Sequence, residues 1–153
     1  MTKVQDYLKN QGVVYEMREH VPAYTAQEIA AEEHVSGDML AKAVVVRVDD
    51  GYAMCVLPAS YKLDMVKVAR AAKASEARLA DETEMAKLFL DTELGAEPPF
   101  GNLYGLTTFV DRNLAEDREI VFQAGTHRQA IRMTFQDYAN IVQPIVADLA
   151  VHL

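Results

Sequence analysis

The stretch "AVVVRVDDGYAMCVLPA", Ala43 to Ala59, decides the fold. Two apolar, β-branched runs flank Asp50-Gly51. An Asp-Gly pair between such runs marks a hairpin, because its type I′ turn requires positive φ angles that these two residue types tolerate. A pair of antiparallel strands is therefore expected at the middle of the chain.

Working outward from the hairpin, helix and strand signals alternate without a regular βαβ rhythm. Towards the C-terminus, Asp64 caps a helix reaching about Lys73, and "ARLA" (77–80) is a short strand. Asp81 with Glu84 opens a second helix through Leu90. The segments "LTTFVD" (106–111), "REIVFQAG" (118–125) and "RQAIRMTF" (128–135) read as three strands. Thr134 caps a last helix, which Pro144 interrupts or restarts. Towards the N-terminus, Thr2 and Gln5 form a capping box and Gly12 stops the first helix. "VVYEMREH" (13–20) alternates as a strand, and "TAQE" (Thr25 to Glu28) opens a short helix ending near His34. Interspersed elements with hairpins favour an α+β fold. The expected architecture is one domain over residues 1–153, with a mixed, mostly antiparallel β-sheet, partly barrel-like, flanked by helices.

A chain of 153 residues, half hydrophobic and a quarter charged, is long enough for one good core. No apolar run approaches the ~18 residues of a membrane span. The N-terminus has no apolar signal-peptide core, so a cytoplasmic location and no membrane partner are expected. A single cysteine excludes an internal disulfide and a cysteine-rich zinc site. Charge is uneven: residues 1–80 carry 10 Lys/Arg against 11 Asp/Glu, and residues 81–153 carry 5 against 12. That balance argues against wrapping DNA or a long RNA, which needs a basic face, but allows a grip on a few terminal nucleotides. Lys62, Lys67, Arg70 and Lys73 form a local basic stretch, either a solvated helix face or a phosphate contact.

The usual nucleotide, nucleophile-elbow and zinc-helix motifs are absent. His20, His34, His127 and His152 are scattered without metal-site spacing, so a metal enzyme is not expected. Cys55, inside an apolar strand, reads as a small buried hydrophobe. Lys42 stands where a core strand begins. Such a lysine either snorkels to water or is held as a cation at a pocket mouth, ready for a phosphate or a polarised carbonyl oxygen. His127 follows Gly125-Thr126 between two strands, either as an exposed turn residue or as a hydrogen-bonding wall of the same pocket. "GAEPPFGNLYG", Gly95 to Gly105, is stiff and apolar for a loop. Its Gly95 to Pro99 segment, G-x-x-x-P, can hold main-chain N–H groups outward for an oxyanion, though a structural Ω-loop explains it equally.

Lys42, G-x-x-x-P and "AGTH" (124–127), in this order, resemble the YbaK/prolyl-tRNA-synthetase-associated editing domains. "REHVPAYTAQEIA", "SGDMLAKAVVVR", "VLPASYKLDMVKVARA", "ELGAEPPFGNLYGL" and "IVFQAGTHRQAIRM" extend the likeness along nearly the whole chain. The resemblance implies a deacylase that hydrolyses the ester between a wrong amino acid and a tRNA 3′ end, with no metal or cofactor. It implies that Lys42 binds the 3′ end and that Gly95 and Pro99 frame the loop supporting the substrate carbonyl. His127, with Gly125 and Thr126, would line the pocket, and Phe100, Gly101, Tyr24, Thr25 and His20 are further candidate lining residues. The implied partners are the tRNA acceptor end and an aminoacyl-tRNA synthetase. tRNA-Pro carrying Ala, Cys or Ser is a candidate substrate, and Ala43, beside the lysine, departs from the polar or distinctive residue common there. A binding module that holds such a ligand without turning it over is the alternative, and a purely structural interaction domain a weaker one.

Overall fold

The computed structural model describes residues 2–23, 28, 31, 33 and 36–153. The helix expected from Thr25 to His34 lies largely outside the described residues, as do the candidates Tyr24 and Thr25. Four helices are found among the described residues: α1 (Lys3–Gln11), α2 (Met65–Ala72), α3 (Glu82–Leu88) and α4 (Phe135–Val142). Each begins where its capping residue stands. Thr2 and Gln5 bond reciprocally at α1, and the Asp64 carboxylate accepts from the Val66 and Lys67 N–H groups at α2. Asp81 and Glu84 form a second reciprocal box at α3, which stops two residues earlier than expected. Thr134 accepts from Asp137 N at α4. These bonds satisfy donors that the first turn of a helix leaves without partners.

Among the described residues the strands form three sheets. The largest contains β2 (Ala41–Val48), β3 (Gly51–Pro58), β5 (Ala77–Leu79), β6 (Thr107–Asp111) and β9 (Ile145–Ala147) in the order β5-β2-β3-β6-β9. Its β5, β2 and β3 pair antiparallel, whereas β3–β6 and β6–β9 pair parallel. An antiparallel sheet orders β1 (Glu16–Glu19), β8 (Gln129–Thr134) and β7 (Glu119–Gln123), and β4 (Tyr61–Leu63) pairs with β10 (Ala150–His152). The mixed, mostly antiparallel α+β architecture is therefore present. The barrel-like element of the expectation is corrected: the sheets stay open, and a parallel bridge from Leu40 to Val121 links the large sheet to β7.

Two local corrections have physical causes. In the central hairpin Val48 faces Gly51, so the loop pair is Asp49-Asp50, one residue before Asp50-Gly51. Asp49 takes the positive φ of 50°, and its carboxylate accepts from the Ser75 and Glu76 N–H groups, anchoring the turn to the start of β5. Pro144 restarts no helix; α4 ends at Gln143 with a φ of 53°, and the chain enters β9.

The main core packs the inner faces of β2, β3, β6, β7 and β8 against α1 and α4. Phe100 lies at its centre, with its ring edge-on to Tyr7, Phe122 and Tyr138. Burying an aromatic ring this fully stabilises by several kcal/mol, so truncation to alanine is expected to cost about 3–5 kcal/mol. No helix among the described residues is long and apolar enough to cross a membrane.

Candidate functional site

Lys42 is the second residue of β2, opposite Leu57 of β3. Its side chain is half-buried, and its Nζ donates one long bond, 3.5 Å, to the Ala59 carbonyl. No carboxylate among the described residues pairs with it. Burial lowers its pKa from the ordinary lysine value, because the charged form loses hydration without gaining a counter-ion.

The loop before Phe100 is fastened to the β7–β8 turn from both sides. Glu93 N donates to the Gly125 carbonyl (2.8 Å), and Gly125 N donates back to the Ala96 carbonyl (2.9 Å). His127 N donates to the Glu93 carboxylate (2.6 Å), and His127 Nε2 lies 2.9 Å from the Leu94 carbonyl. A carbonyl only accepts, so Nε2 carries a proton. That leaves Nδ1 as acceptor, 3.4 Å from the Gln123 amide nitrogen, which also donates to the Ala23 carbonyl (3.1 Å). Gly95 and Gly125 hold φ angles of 87° and 99°, a region that side chains disfavour. A β-carbon on Gly95 would also stand 3.6 Å from His127 Cε1.

Ala23 joins this braced pair of turns to the surroundings of Lys42. Its N–H donates to the His127 carbonyl (2.9 Å), and it packs in one small buried cluster with Leu40, Ala59, Val121 and Ala130. Leu40 precedes Lys42 by two residues, and Ala59 carries the carbonyl that the lysine reaches.

The other candidates separate. His127 is buried, which overturns its reading as a water-exposed turn residue. Thr126 Oγ1 accepts from Arg128 N (3.3 Å) and shapes the turn. His20 belongs to a different cavity, with Arg18, Glu33 and Arg128, and its own N–H donates to the Arg128 carbonyl. Phe100 and Gly101 are corrected from lining residues to packing residues. The Phe100 side chain is fully buried, and a β-carbon on Gly101 would lie 2.5 Å from Thr108 Oγ1. Pro99 is buried, and its carbonyl accepts from the Tyr138 hydroxyl. Within the basic stretch, Lys67 is taken by Asp148 (3.1 Å) and the Ala150 carbonyl (3.2 Å), leaving Lys62, Arg70 and Lys73.

Outward N–H groups are not what the front of the loop presents. Gly95 N donates to Glu97 Oε1 (3.1 Å), and Ala96 N donates to the Glu93 carbonyl. Glu97 is the residue that the sequence reading missed. Burial raises its pKa above the ordinary glutamate value, opposed by main-chain donors and by the field of His127. The available signal was a lone charge between Gly95 and two prolines, since a carboxylate in an apolar stretch must find donors or a cation.

Comparison with solved structures agrees with this architecture. One described as hypothetical protein APE2540 superposes with a TM-score of 0.90 at 22% identity, covering 97% of this chain and 99% of that chain. Another, described as "a putative trans-editing enzyme for prolyl tRNA synthetase", gives 0.86 at 25% identity, covering 97% and 94%. The aminoacyl-tRNA editing domain model matches residues 20–141, a span that holds Lys42, the Gly95–Pro99 loop and His127. The chain belongs to the aminoacyl-tRNA editing domain family.

Proposed function

We propose that residues 1–153 work as one editing domain that acts in trans, hydrolysing the ester of a mischarged tRNA. The observation that carries the reading is the Lys42 ammonium. It is half-buried, has no carboxylate partner among the described residues, and makes one long bond to a carbonyl. A cation kept in that state is suited to an anion brought from outside, and the phosphate on the 5′ side of the terminal adenosine supplies one. The braced turns around Gly95 and Gly125 then form the rigid wall against which the acyl group lies.

An aminoacyl ester is already activated, so positioning can carry much of the catalysis. Water adds to the carbonyl carbon, the bond to the ribose oxygen breaks, and a free amino acid and a tRNA hydroxyl result. The substrate's own 2′-hydroxyl or amine is our candidate for orienting that water. His127 acts in this scheme as a brace, since both ring nitrogens already hold bonds. tRNA-Pro carrying Ala, Cys or Ser is the first substrate to try, with the cognate synthetase as the first partner. The test is deacylation of mischarged tRNA: wild type is expected to release amino acid and Lys42→Ala to lose most of that rate. Wild type inert on alanyl-, cysteinyl- and seryl-tRNA would contradict the reading.

A further inference from the structure

We infer that Glu97 is the receptor for the substrate's α-ammonium group, so that the site selects acyl groups with a free amine. The inference rests on the editing function proposed above and adds a binding residue to it. Glu97 is only 6% exposed, yet it lines a cavity of about 380 Å³ with Glu82, Met85, Phe89, Thr92 and Leu94. That volume is at the small end of ligand pockets, which run from roughly 300 to 1,000 Å³. The Thr92 hydroxyl is also buried, without a hydrogen-bond partner among the described residues.

A buried carboxylate is normally neutralised by a lysine or arginine or saturated by donors. Glu97 has neither. Gly95 N binds one oxygen, its own N–H lies close, and no lysine or arginine among the described residues pairs with it. His127 contributes a stabilising field, but its Nε2–H is spent on Leu94. The position therefore suits a small cation from outside. An aminoacyl ester carries one, two bonds from the carbonyl carbon. An acyl group laid against the Gly95 turn brings its ammonium to the residues flanking that turn, and Glu97 is fixed there by the Gly95 N–H itself. The apolar walls, Met85, Phe89 and Leu94, are left for a small side chain. Aminoacyl-tRNA would then be distinguished from peptidyl- or formyl-blocked tRNA, whose nitrogen carries no charge.

Calorimetric titration of the whole chain tests this with three non-hydrolysable probes. They are 3′-alanylamido-3′-deoxyadenosine 5′-phosphate, its N-acetyl form, and the lactyl form with a hydroxyl in place of the amine. Wild type is expected to bind the free amine about 30-fold more tightly than either other probe, as for a charge-assisted buried bond. Glu97→Gln, whose amide oxygen can still accept from Gly95 N, is expected to shrink that gap to about threefold or less. Lys42→Ala is expected to weaken all three probes and keep the gap. The lactyl comparison needs no variant, so it holds even where Glu97→Gln does not fold. Equal binding of the three probes to wild type, or a gap that survives in Glu97→Gln, overturns the ammonium site while the editing function stands. Binding of none of them to wild type overturns both.

Discussion

Asp111 and Glu97 are both buried carboxylates, and their surroundings could hardly differ more. Asp111 sits at the end of β6 and is saturated. One oxygen accepts from the Asn113 N–H (3.1 Å) and side-chain amide (2.9 Å), and the other from Leu149 N (2.9 Å). Two loops are thereby tied to the large sheet. Glu97 has Gly95 N as its one bonded donor from another residue and faces a cavity. The lysines repeat the contrast. Lys67 has a carboxylate and a carbonyl within 3.2 Å, whereas Lys42 has a carbonyl at 3.5 Å. Asp111 and Lys67 have their charges met within the fold, while Glu97 and Lys42 are each short of partners. An under-satisfied buried charge destabilises a fold, so its presence at a cavity points to a ligand that completes it.

The sharpest way to break this contrast is to delete both lysines separately. Lys42→Ala is expected to lower deacylation about 10²-fold, in line with loss of the contact that positions the ester. Its melting temperature should hold or rise slightly, since a poorly solvated charge has gone. Lys67→Ala should keep the wild-type rate and lose about 0.5–1 kcal/mol in urea unfolding, because its ion pair is partly exposed. Equal rate losses in the two variants would erase the distinction.

The carboxylates give the next effect. Asp111→Ala strands several donors and is expected to destabilise by about 3 kcal/mol, read by chemical denaturation. Glu97→Gln should stay within about 0.5 kcal/mol of wild type at neutral pH. A smaller effect sharpens the comparison through pH. Burial lifts the native pKa of Glu97 above 4.5, so between those values the native state binds more protons than the unfolded chain. Stability should therefore fall as pH rises through that window, and Glu97→Gln should flatten the slope. The smallest effect belongs to Cys55, whose thiol burial pushes up to about 12. Alkylation at pH 8 should label it only in the unfolded protein.

Local chemistry was legible in the sequence wherever it acted locally. Thr2, Asp64, Asp81 and Thr134 cap the helices they mark, because a cap bonds within its own first turn. The central hairpin was legible as a pair of strands, but its turn was displaced by the bond from Asp49 to Ser75 and Glu76, a tertiary contact. Strands β9 and β10, three residues each, are defined by partners far along the chain and carry no periodicity of their own. At the site, Lys42 stood out because a charge enters an apolar strand. Gly95 and Gly125 stood out as glycines and prove to hold positive φ. Glu97 did not, since the loop was read for the freedom of its glycines and prolines, and its carboxylate takes the N–H expected to point outward. Phe100 was legible as apolar, but sequence alone does not separate a pocket wall from the centre of a core.

The central claim is that Lys42 and the braced turns at Gly95 and Gly125 serve one ligand. Nuclear magnetic resonance titration with 3′-alanylamido-3′-deoxyadenosine 5′-phosphate tests it most directly, following the Lys42 ammonium together with the Gly95 and Gly125 amides. The account predicts that all three signals move with a single dissociation constant, and that Lys42→Ala weakens the response at both glycines. Movement at Lys42 with silent glycine amides, or two unrelated constants, would contradict it.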